Sequence, residues 1–415
     1  MSPVVVVGIG ADGWDGLSPT ARREIASAEV LMGSRRQLAL VPDSAAKRVV
    51  WPSPLVPALS ALLREHDGVS VCVLGSGDPM FHGIGSTLVG LLGPDGVRVV
   101  PHPSSVTLAC ARMGWTSHEI PVVSVVHREI ETVLPELGDG ARLLVLGRDE
   151  RTPAALAEVL TQHGFGGSVL TVLSDLGADR ESDFRGSARD WNRGPAGALN
   201  VIAIECVGDQ ARTRLGRLPG LPDDAYVGDG QMTKQEIRAL TLCALAPAPG
   251  ELLWDVGGGS GTIGIEWMRT HPRCRAVCFE RKDSRVEQIR ANAHRLGVPS
   301  LVSAGEVPDA FNSLSSATSV PDAIFVGGGV TQDRLLDHCW RRLPVGGRMV
   351  VNAVTAESEA TLLAWYGAHG GTLRKFQVYR GEPLGDFTSW RPHLPVVQWS
   401  VTKQAAAARE GQERP

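Results

Sequence analysis

The sequence predicts an α/β protein with two domains, the second of which is built on a parallel, doubly wound sheet. Apolar strands alternate with helical stretches along the 415 residues, and this alternation is typical of parallel sheets. A Pro- and Gly-rich segment without hydrophobic periodicity, residues 217–224, separates the two halves. Each half is long enough to bury a core of its own.

The composition narrows the class of protein. With 43% hydrophobic and 21% charged residues, it is that of an ordinary globular protein. The net charge of −4 argues against nucleic acid as a partner. No apolar run approaches the length of a membrane span, and the start of the chain fits a first core strand better than a signal peptide. The seven cysteines show no CxxC spacing, which favours buried thiols over a metal site. We therefore expect a cytoplasmic protein without a metal or membrane partner.

Residues 252–280 have the pattern of a nucleoside-binding site. The apolar run Leu252-Leu253-Trp254 predicts a strand and residues 262–269 predict a helix. Between them, Asp255-Val256-Gly257-Gly258-Gly259-Ser260-Gly261 predicts a tight turn. The next apolar run ends at Glu280, and an acid at the end of a strand can accept hydrogen bonds from ribose hydroxyls.

Two classes of cofactor use this layout. Gly259-x-Gly261-x-x-Gly264 matches the dinucleotide fingerprint, in which a pyrophosphate lies on the helix N-terminus. The longer pattern Asp255-x-Gly257-x-Gly259-x-Gly261 closely resembles the opening motif of class I S-adenosylmethionine (SAM) methyltransferases. Together with Glu280, this longer pattern favours the methyltransferase.

The rest of the second half agrees with that resemblance. Residues 303–310 resemble the segment that lies against adenine in the class I fold, and 323–329 and 343–352 resemble its later strands. By resemblance, the cofactor contacts are Thr233, Gly257, Gly258, Gly259, Ser260, Gly261, Glu280, Glu306 and Val307. Asp255 either contacts SAM or fixes the glycine turn. Residues 232–240 predict a helix with Thr233 as N-cap and Glu236 completing a capping box.

The first half opens with a different glycine motif. Val4–Val7 predicts a strand that is followed by a literal GxGxxG, Gly8-Ile9-Gly10-Ala11-Asp12-Gly13. The acid of the next predicted strand, Glu29, stands at its start, whereas a ribose-binding acid must stand at a strand's end. These glycines are therefore expected to line another kind of cleft.

Three further segments of the first half indicate which cleft this is. They are an apolar strand with a Gly-Asp-Pro turn (71–83), a hydroxyl-rich helix start (103–115) and the segment 172–177. In this order they resemble the tetrapyrrole methylase family, the class III SAM methyltransferases, whose two αβ lobes hold SAM between them. The resemblance implies that Gly8, Gly10, Gly77, Asp78, Ser104 and Ser105 bind the cofactor. Many members have Gly-Pro-Gly after the first strand, and the chain departs from this at Ala11.

A two-lobed class III tetrapyrrole methylase ahead of a class I (Rossmann-like) methyltransferase resembles the precorrin-6Y methyltransferase family of cobalamin biosynthesis. The resemblance implies C5 methylation by residues 1–206, a linker at 207–228, and C15 methylation with decarboxylation of the ring C acetate by residues 229–403. It also implies one SAM site in each domain, precorrin-8 as product and a homo-oligomer. Residues 404–415 are expected to be a disordered tail, and no residue can be chosen for catalysis.

Alternatives stay open at this point. The substrate could be a cobalt-containing or another tetrapyrrole, one half could be a degenerate scaffold, or the chain could be an NAD(P)-dependent oxidoreductase. A substrate with many carboxylates predicts arginines in its cleft. The pairs at 22–23, 35–36 and 341–342 are candidates, although each also fits a solvated surface. Arg348 and Asn352 are candidates for the rim of the second site.

Overall fold

The structure is a computed structural model that describes residues 3–52, 54–210, 213–228 and 230–405. The chain forms two compact units, Met1–Ile130 with Glu136–Arg212, and Glu131–Pro135 with Thr213–Pro415. Within the described residues, no helix combines the length and the apolarity that a bilayer span requires. Residues 406–415 of the predicted tail lie outside the described part.

The first sheet of the first unit is parallel throughout, in the order β3-β2-β4-β1-β5. Its strands are β1 (Val4–Ile9), β2 (Val30–Gly33), β3 (Lys47–Val50), β4 (Val71–Ser76) and β5 (Val97–Val100). The intervening helices are α1 (Pro19–Ala26), α2 (Arg35–Ala39), α3 (Leu55–Arg64) and α4 (Ile84–Leu92). The predicted first core strand is confirmed, because the last four residues of β1 are buried. Parallel strands end at one edge of a sheet, so the turns after β1 and β4 are neighbours.

The second sheet of this unit is mixed, in the order β6-β7-β10-β8-β9. Its strands are β6 (Val122–Ser124), β7 (Arg142–Leu146), β8 (Val169–Ser174), β9 (Ser182–Ser187) and β10 (Asn200–Glu205). Helix α5 (Ser105–Met113) leads into this sheet and α6 (Thr152–Gln162) joins β7 to β8. Only the β6–β7 pair is parallel, because β8, β9 and β10 follow one another without an intervening helix.

The second unit contains a seven-stranded sheet and a separate hairpin. The strands of its first part are β11 (Leu252–Val256), β12 (Arg275–Phe279), β13 (Val302–Ala304), β14 (Ala323–Val326) and β15 (Arg348–Ala353). Then follow β16 (Thr372–Phe376), the hairpin β17 (Tyr379–Leu384) and β18 (Phe387–Pro392), and β19 (Val396–Thr402). The helices are α7 (Gln235–Leu245), α8 (Thr262–Thr270), α9 (Asp283–Arg295), α10 (Leu335–Arg342) and α11 (Ala356–His369).

This sheet has the order β13-β12-β11-β14-β15-β19-β16. All its strands run in one direction except β19, which is antiparallel to both of its neighbours. The doubly wound α/β prediction is confirmed, with one strand reversed. The reversal follows from the connection, because no helix separates β16 from β19 and the chain returns through the hairpin.

The core covers both faces of this sheet. Successive strand residues alternate between faces, so Leu253 and Phe325 belong to one apolar cluster while Trp254 and Ile324 belong to the other. The prediction that Trp254 and Trp267 are core residues is confirmed, since both are fully buried. The cysteines of the described residues are free thiols, and all but Cys243 are buried.

Within the second unit, a buried ionic cluster holds the segment before α7 against helices α7 and α8. The fully buried Arg238 of α7 donates to Glu266 of α8 over 2.8 Å and to Asp223 over 2.8 Å. Glu266 also accepts from the backbone N–H of Leu221 and from the Tyr226 hydroxyl. Residues 221–226, which the sequence predicts as part of a linker, are therefore packed onto the sheet domain.

The predicted capping box of α7 is wrong. The helix begins at Gln235 after Lys234, without a side-chain cap from Thr233. The first-turn N–H of Gln235 instead donates to Asp223 over 2.9 Å, and Glu236 pairs with Arg380. The local capping pattern is not used, because partners outside the helix bind the groups of the first turn that the capping box would have bound.

Candidate active site

The second unit contains a cavity of about 920 Å³ at the edge where its parallel strands end. Of the residues that the sequence predicts as cofactor contacts, eight line the cavity: Thr233, Asp255, Gly257, Gly258, Gly259, Glu280, Glu306 and Val307. Ser260 is buried and Gly261 packs against Ile289, so neither belongs to the lining. The volume lies at the upper end of the range for small-molecule sites.

The floor of the cavity is the glycine turn after β11. Gly257, Gly259 and Gly261 have φ of +74°, +57° and +79°, a region that other residues rarely adopt. A Cβ on Gly257 would lie 2.9 Å from a backbone nitrogen, that of Gly328. The N–H groups of Gly257 and Gly258 both donate to the carbonyl of Phe279 over 3.0 Å. These hydrogen bonds hold the turn in place, and because its residues are glycines, no side chains cover its backbone on the side of the cavity.

Glu280 stands directly after β12, beside this turn, and is 7% exposed. Its Oε2 accepts from the N–H of Gly259 over 3.0 Å, and its Oε1 accepts from the N–H of Lys282 over 3.0 Å. Each carboxylate oxygen retains a lone pair. The side chain therefore both braces the glycine turn and offers charged acceptors to a ligand in the cavity.

Asp255, at the end of β11, is fully buried and also belongs to the lining. Its Oδ2 accepts from the N–H of Gly264, in the first turns of α8, over 2.9 Å. Burial raises the pKa of Asp255 to about 6, against the effects of the Gly264 and Cys278 hydrogen bonds. The observed contact links the glycine turn to α8, which is one of the two roles that the sequence left open.

Glu306 and Val307 follow β13 and line the same cavity. Val307 is 8% exposed, and its carbonyl accepts from the side-chain amide of Gln332 over 3.4 Å. Trp254, Phe279 and Phe311 pack together behind this segment. Aromatic packing of this kind gives the segment a firm base.

The far end of the cavity is formed by residues that the sequence largely failed to indicate. Asn352, a candidate rim residue, lines the cavity and donates to Thr241 over 2.9 Å. Arg348 instead pairs with Glu251 on the adjoining part of the sheet, so its charge is already compensated. His393 also lines the cavity, and no local motif marks it. Only the strand order and direction could have revealed it.

In the first unit, four of the predicted cofactor residues lie together at the edge where the first sheet ends. A Cβ on Gly8 would lie 2.2 Å from the carbonyl oxygen of Gly77, and one on Gly10 would lie 2.6 Å from Nε2 of His102. Gly77 has a φ of +53° and approaches Ser104 so closely that its Cβ would lie 3.2 Å from Cα of that residue. These contacts leave no room for side chains, which is the property of a backbone cradle.

The remaining predicted residues of the first unit flank this cradle. Asp78 accepts from the N–H of Met80 over 2.9 Å and so holds the Gly-Asp-Pro turn. Ser104 caps α5 by accepting from the N–H of Thr107 over 3.1 Å, and Ser105 is the exposed first residue of that helix. Near them, the buried Oδ1 of Asp12 lies 3.3 Å from His102 Nε2. It makes no hydrogen bond to any of the described residues.

Two family models match the chain. One, described as tetrapyrrole (corrin/porphyrin) methylases, covers residues 3–191, and the other, described as a precorrin methyltransferase domain, covers residues 224–403. A Mycobacterium tuberculosis (strain CDC 1551 / Oshkosh) protein named precorrin-6Y C(5,15)-methyltransferase (decarboxylating) is 50% identical over 405 residues. The match covers 97% of this chain and 100% of that protein. The chain belongs to the precorrin-6Y C(5,15)-methyltransferase (decarboxylating) family.

Two shorter relatives of this precorrin-6Y methyltransferase family match part of the chain. A protein of Saccharolobus solfataricus, named probable cobalt-precorrin-6B C(15)-methyltransferase (decarboxylating), is 30% identical over 147 residues, 34% of this chain and 72% of that protein. A protein of Salmonella typhimurium, named cobalt-precorrin-7 C(5)-methyltransferase, is 28% identical over 178 residues. This second match covers 43% of this chain and 87% of that protein.

Membership in this methyltransferase family implies the use of SAM, and the residues present fit that cofactor. In the second unit, the fit rests on a bare glycine turn beside the buried carboxylate of Glu280. In the first unit, it rests on a glycine cradle that a Cβ would fill, next to the carboxylate of Asp12, whose buried Oδ1 accepts no hydrogen bond from the described residues. Both arrangements offer close backbone approach together with a charged acceptor, which a nucleoside with a cationic sulfonium requires.

Proposed function

We propose that the chain methylates precorrin-6Y at C5 and C15 and decarboxylates the acetate side chain of ring C, giving precorrin-8. The observation that carries this function is the match to a protein of that name over 97% of the chain. The two glycine cradles support it, because two methyl transfers at separate carbons call for two cofactor sites.

We assign one SAM site to each unit. In the second unit, Thr233, Asp255, the Gly257–Gly261 turn, Glu280, Glu306 and Val307 hold the cofactor. In the first unit, Gly8, Gly10, Gly77, Asp78, Ser104 and Ser105 hold it. Bound SAM supplies a methyl group that its sulfonium already activates. The chain's own contribution is therefore orientation, and holding two reactants in line accounts for much of a rate enhancement.

The decarboxylation places a further demand on the chain. When CO₂ leaves the ring C acetate, the C–C electron pair enters the conjugated macrocycle and the side-chain carbon takes up a proton. The macrocycle is thus its own electron sink. What the protein must supply is a fixed orientation of the breaking bond and a proton source near that carbon.

The two activities divide between the domains. We propose that residues 1–206 methylate C5, that 207–228 connect the domains, and that 229–403 methylate C15 and decarboxylate. Two shorter relatives, each named for one activity, support a division of this kind. The substrates in their names are cobalt-precorrin-6B for the C15 step and cobalt-precorrin-7 for the C5 step, which favours C15 methylation first.

Two statements about the setting of the enzyme belong to the same proposal. The free cysteines of the described residues support a reducing, cytoplasmic compartment. Exposed apolar side chains on the β17–β18 hairpin, among them Phe387 at 79% and Trp390 at 71% exposure, support a homo-oligomer. Light scattering on the purified chain measures the second of these.

A complementation experiment with full-length variants tests the two-site function. Gly8→Ala places a Cβ 2.2 Å from a carbonyl oxygen, and Gly257→Ala places one 2.9 Å from a backbone nitrogen, so each should disable one cradle. Gly90→Ala and Gly367→Ala, which meet nothing within 4 Å, are the matched controls. The products from precorrin-6Y and SAM are followed by mass spectrometry.

We expect Gly8→Ala to give a decarboxylated product with a single added methyl group, and Gly257→Ala to leave precorrin-6Y unchanged. Mixing the two variants should restore the doubly methylated product. If folded Gly8→Ala blocked every step, or if the mixture formed no doubly methylated product, the two-site function would be wrong. Running the same assay with the cobalt-containing analogue of precorrin-6Y shows whether the chain acts on the metal-free or on the cobalt-containing substrate.

A further inference from the structure

The cavity of the second unit extends well beyond the predicted cofactor residues. Glu280 marks its β12 end, and Val396, the first residue of β19, also lines it. The sheet order β12-β11-β14-β15-β19 places four strand spacings between these points, or about 19 Å. Because β19 is antiparallel, with Ala353 opposite Val397, its start reaches the edge at which the parallel strands end.

The lining of the β19 end differs in character from that of the glycine end. The acids Asp255, Glu280 and Glu306 line the glycine end, which is the nucleoside end of the cavity in the proposed function. The β19 end is apolar, with Val354, Val378, Leu394 and Val396. Two basic residues also line the cavity: Lys234, directly before α7, whose ammonium donates to the carbonyl of Gly230 over 3.1 Å, and His393, directly after β18. The other two cationic lining residues, Arg281 and Arg285, follow Glu280 in the chain.

The structure fixes the backbone that carries both basic residues. The N–H of His393 donates to the carbonyl of Val378 over 2.9 Å, which closes the base of the hairpin. Arg380, two residues beyond Val378, donates to both carboxylate oxygens of Glu236 over 3.0 and 2.8 Å. This bidentate pair ties the hairpin to the first turn of α7, next to Lys234. The hydrogen bond from Arg380, together with a backbone hydrogen bond and the Arg380 charge, holds the pKa of Glu236 below its usual value.

We propose that Lys234 and His393 form a carboxylate-binding subsite at the β19 end of the cavity. This inference rests on the proposed function and deepens it, since the subsite would take an acetate or propionate side chain of the tetrapyrrole. The apolar side chains of the β19 end suit the face of a macrocycle. Lys234 donates from an ammonium group, and His393 donates one N–H even when neutral.

The bound carboxylate is not the one that is lost. A carboxylate held by two donors is stabilised in the ground state, and this would oppose its departure as CO₂. The subsite therefore binds a non-reacting side chain and orients the ring so that C15 faces the cofactor. It follows that Lys234 and His393 are positioning residues for docking, and that losing them should weaken substrate binding without changing the ratio of CO₂ released to methyl transferred.

The test uses the full-length chain with precorrin-6Y and SAM, and follows C15 methylation and CO₂ release. For Lys234→Gln and for His393→Gln we expect the KM for precorrin-6Y to rise about tenfold or more, the loss typical of one charged hydrogen bond. The affinity for S-adenosylhomocysteine, measured by calorimetry, should stay within twofold. In Lys234→Arg, which keeps the positive charge, the KM for precorrin-6Y should stay close to the wild-type value. Lys375→Gln, which removes an exposed charge paired with Glu359, is the matched control.

An unchanged KM in both folded variants would overturn the subsite. So would a fall in kcat or in the CO₂-to-methyl ratio at unchanged KM, because the residues would then act in the chemistry. Weaker cofactor binding by Lys234→Gln would assign that lysine to the cofactor and overturn it too. A wild-type chain that neither methylates C15 nor releases CO₂ would instead refute the proposed function, so the two failures are distinguishable.

Discussion

Substitution of Glu280 tests the assignment of the nucleoside end. In Glu280→Gln, one carboxylate oxygen becomes an amide NH₂. One of the two backbone N–H donors now 3.0 Å from the carboxylate, those of Gly259 and Lys282, then loses its acceptor. The charge offered to ribose is lost as well. A hydrogen bond to a charged group contributes about 1.5–3 kcal/mol, so the dissociation constant for S-adenosylhomocysteine should rise about ten- to a hundredfold.

The assay is titration calorimetry of the full-length chain with S-adenosylhomocysteine, fitted for two sites. Only the site of the second unit should weaken, and C15 methylation should require a correspondingly higher SAM concentration. Glu287→Gln, an exposed acid on α9, is the control for the loss of one negative charge. If the affinity of both sites were unchanged in a folded Glu280→Gln protein, the assignment of Glu280 to ribose would be refuted.

Two further predictions concern stability. Because burial raises the pKa of Asp255 to about 6, the folded chain binds this proton more tightly than the unfolded chain, and stability falls as the pH rises toward 6. Ionising the buried carboxyl above that pH lowers the free energy of unfolding by about 3 kcal/mol. Asp255→Asn should therefore raise the free energy of unfolding, measured in urea, at pH 8 and leave it nearly unchanged at pH 4. Equal effects at both pH values would contradict this. Arg238→Met leaves the buried Glu266 without its cation and should lower the free energy of unfolding by about 3–5 kcal/mol. Adding Glu266→Gln should recover part of that loss, and no recovery would mean that the ion pair is not the cause.

The sequence predicted those parts of the fold and site that depend on neighbouring residues. The strand, glycine turn and helix around Gly257 are encoded within about twenty residues, and the structure contains all three. Glu280 is found at the end of β12, where the spacing placed it. For Gly8 and Gly77, family resemblance predicted only that both bind the cofactor, and the close approach of the two glycines comes from the structure, because nothing local indicates it.

What the sequence could not predict depends on tertiary contacts. The first turn of α7 satisfies its groups through Asp223 and Arg380, so the local capping pattern at Thr233 has no role. The segment 221–226 contains no periodic pattern, yet Glu266 and Arg238 hold it on the sheet domain. In both cases charged side chains form contacts that no local pattern indicates, and local propensity was too weak to compete.

The reversed strand has the largest consequence for function. Had β19 run parallel to β15, its first residue would lie at the opposite edge of the sheet, about 20 Å from the edge that carries the glycine turn for a strand of this length. Val396 would then no longer line the cavity, and His393 would lose the position it has in the structure. The antiparallel register of Ala353 with Val397 instead extends the lining across another strand. The excursion through the β17–β18 hairpin permits this reversal, and Arg380 anchors that hairpin on α7. The hairpin thus carries the lining of the cavity past β15 to β19, where we place the subsite for the macrocycle.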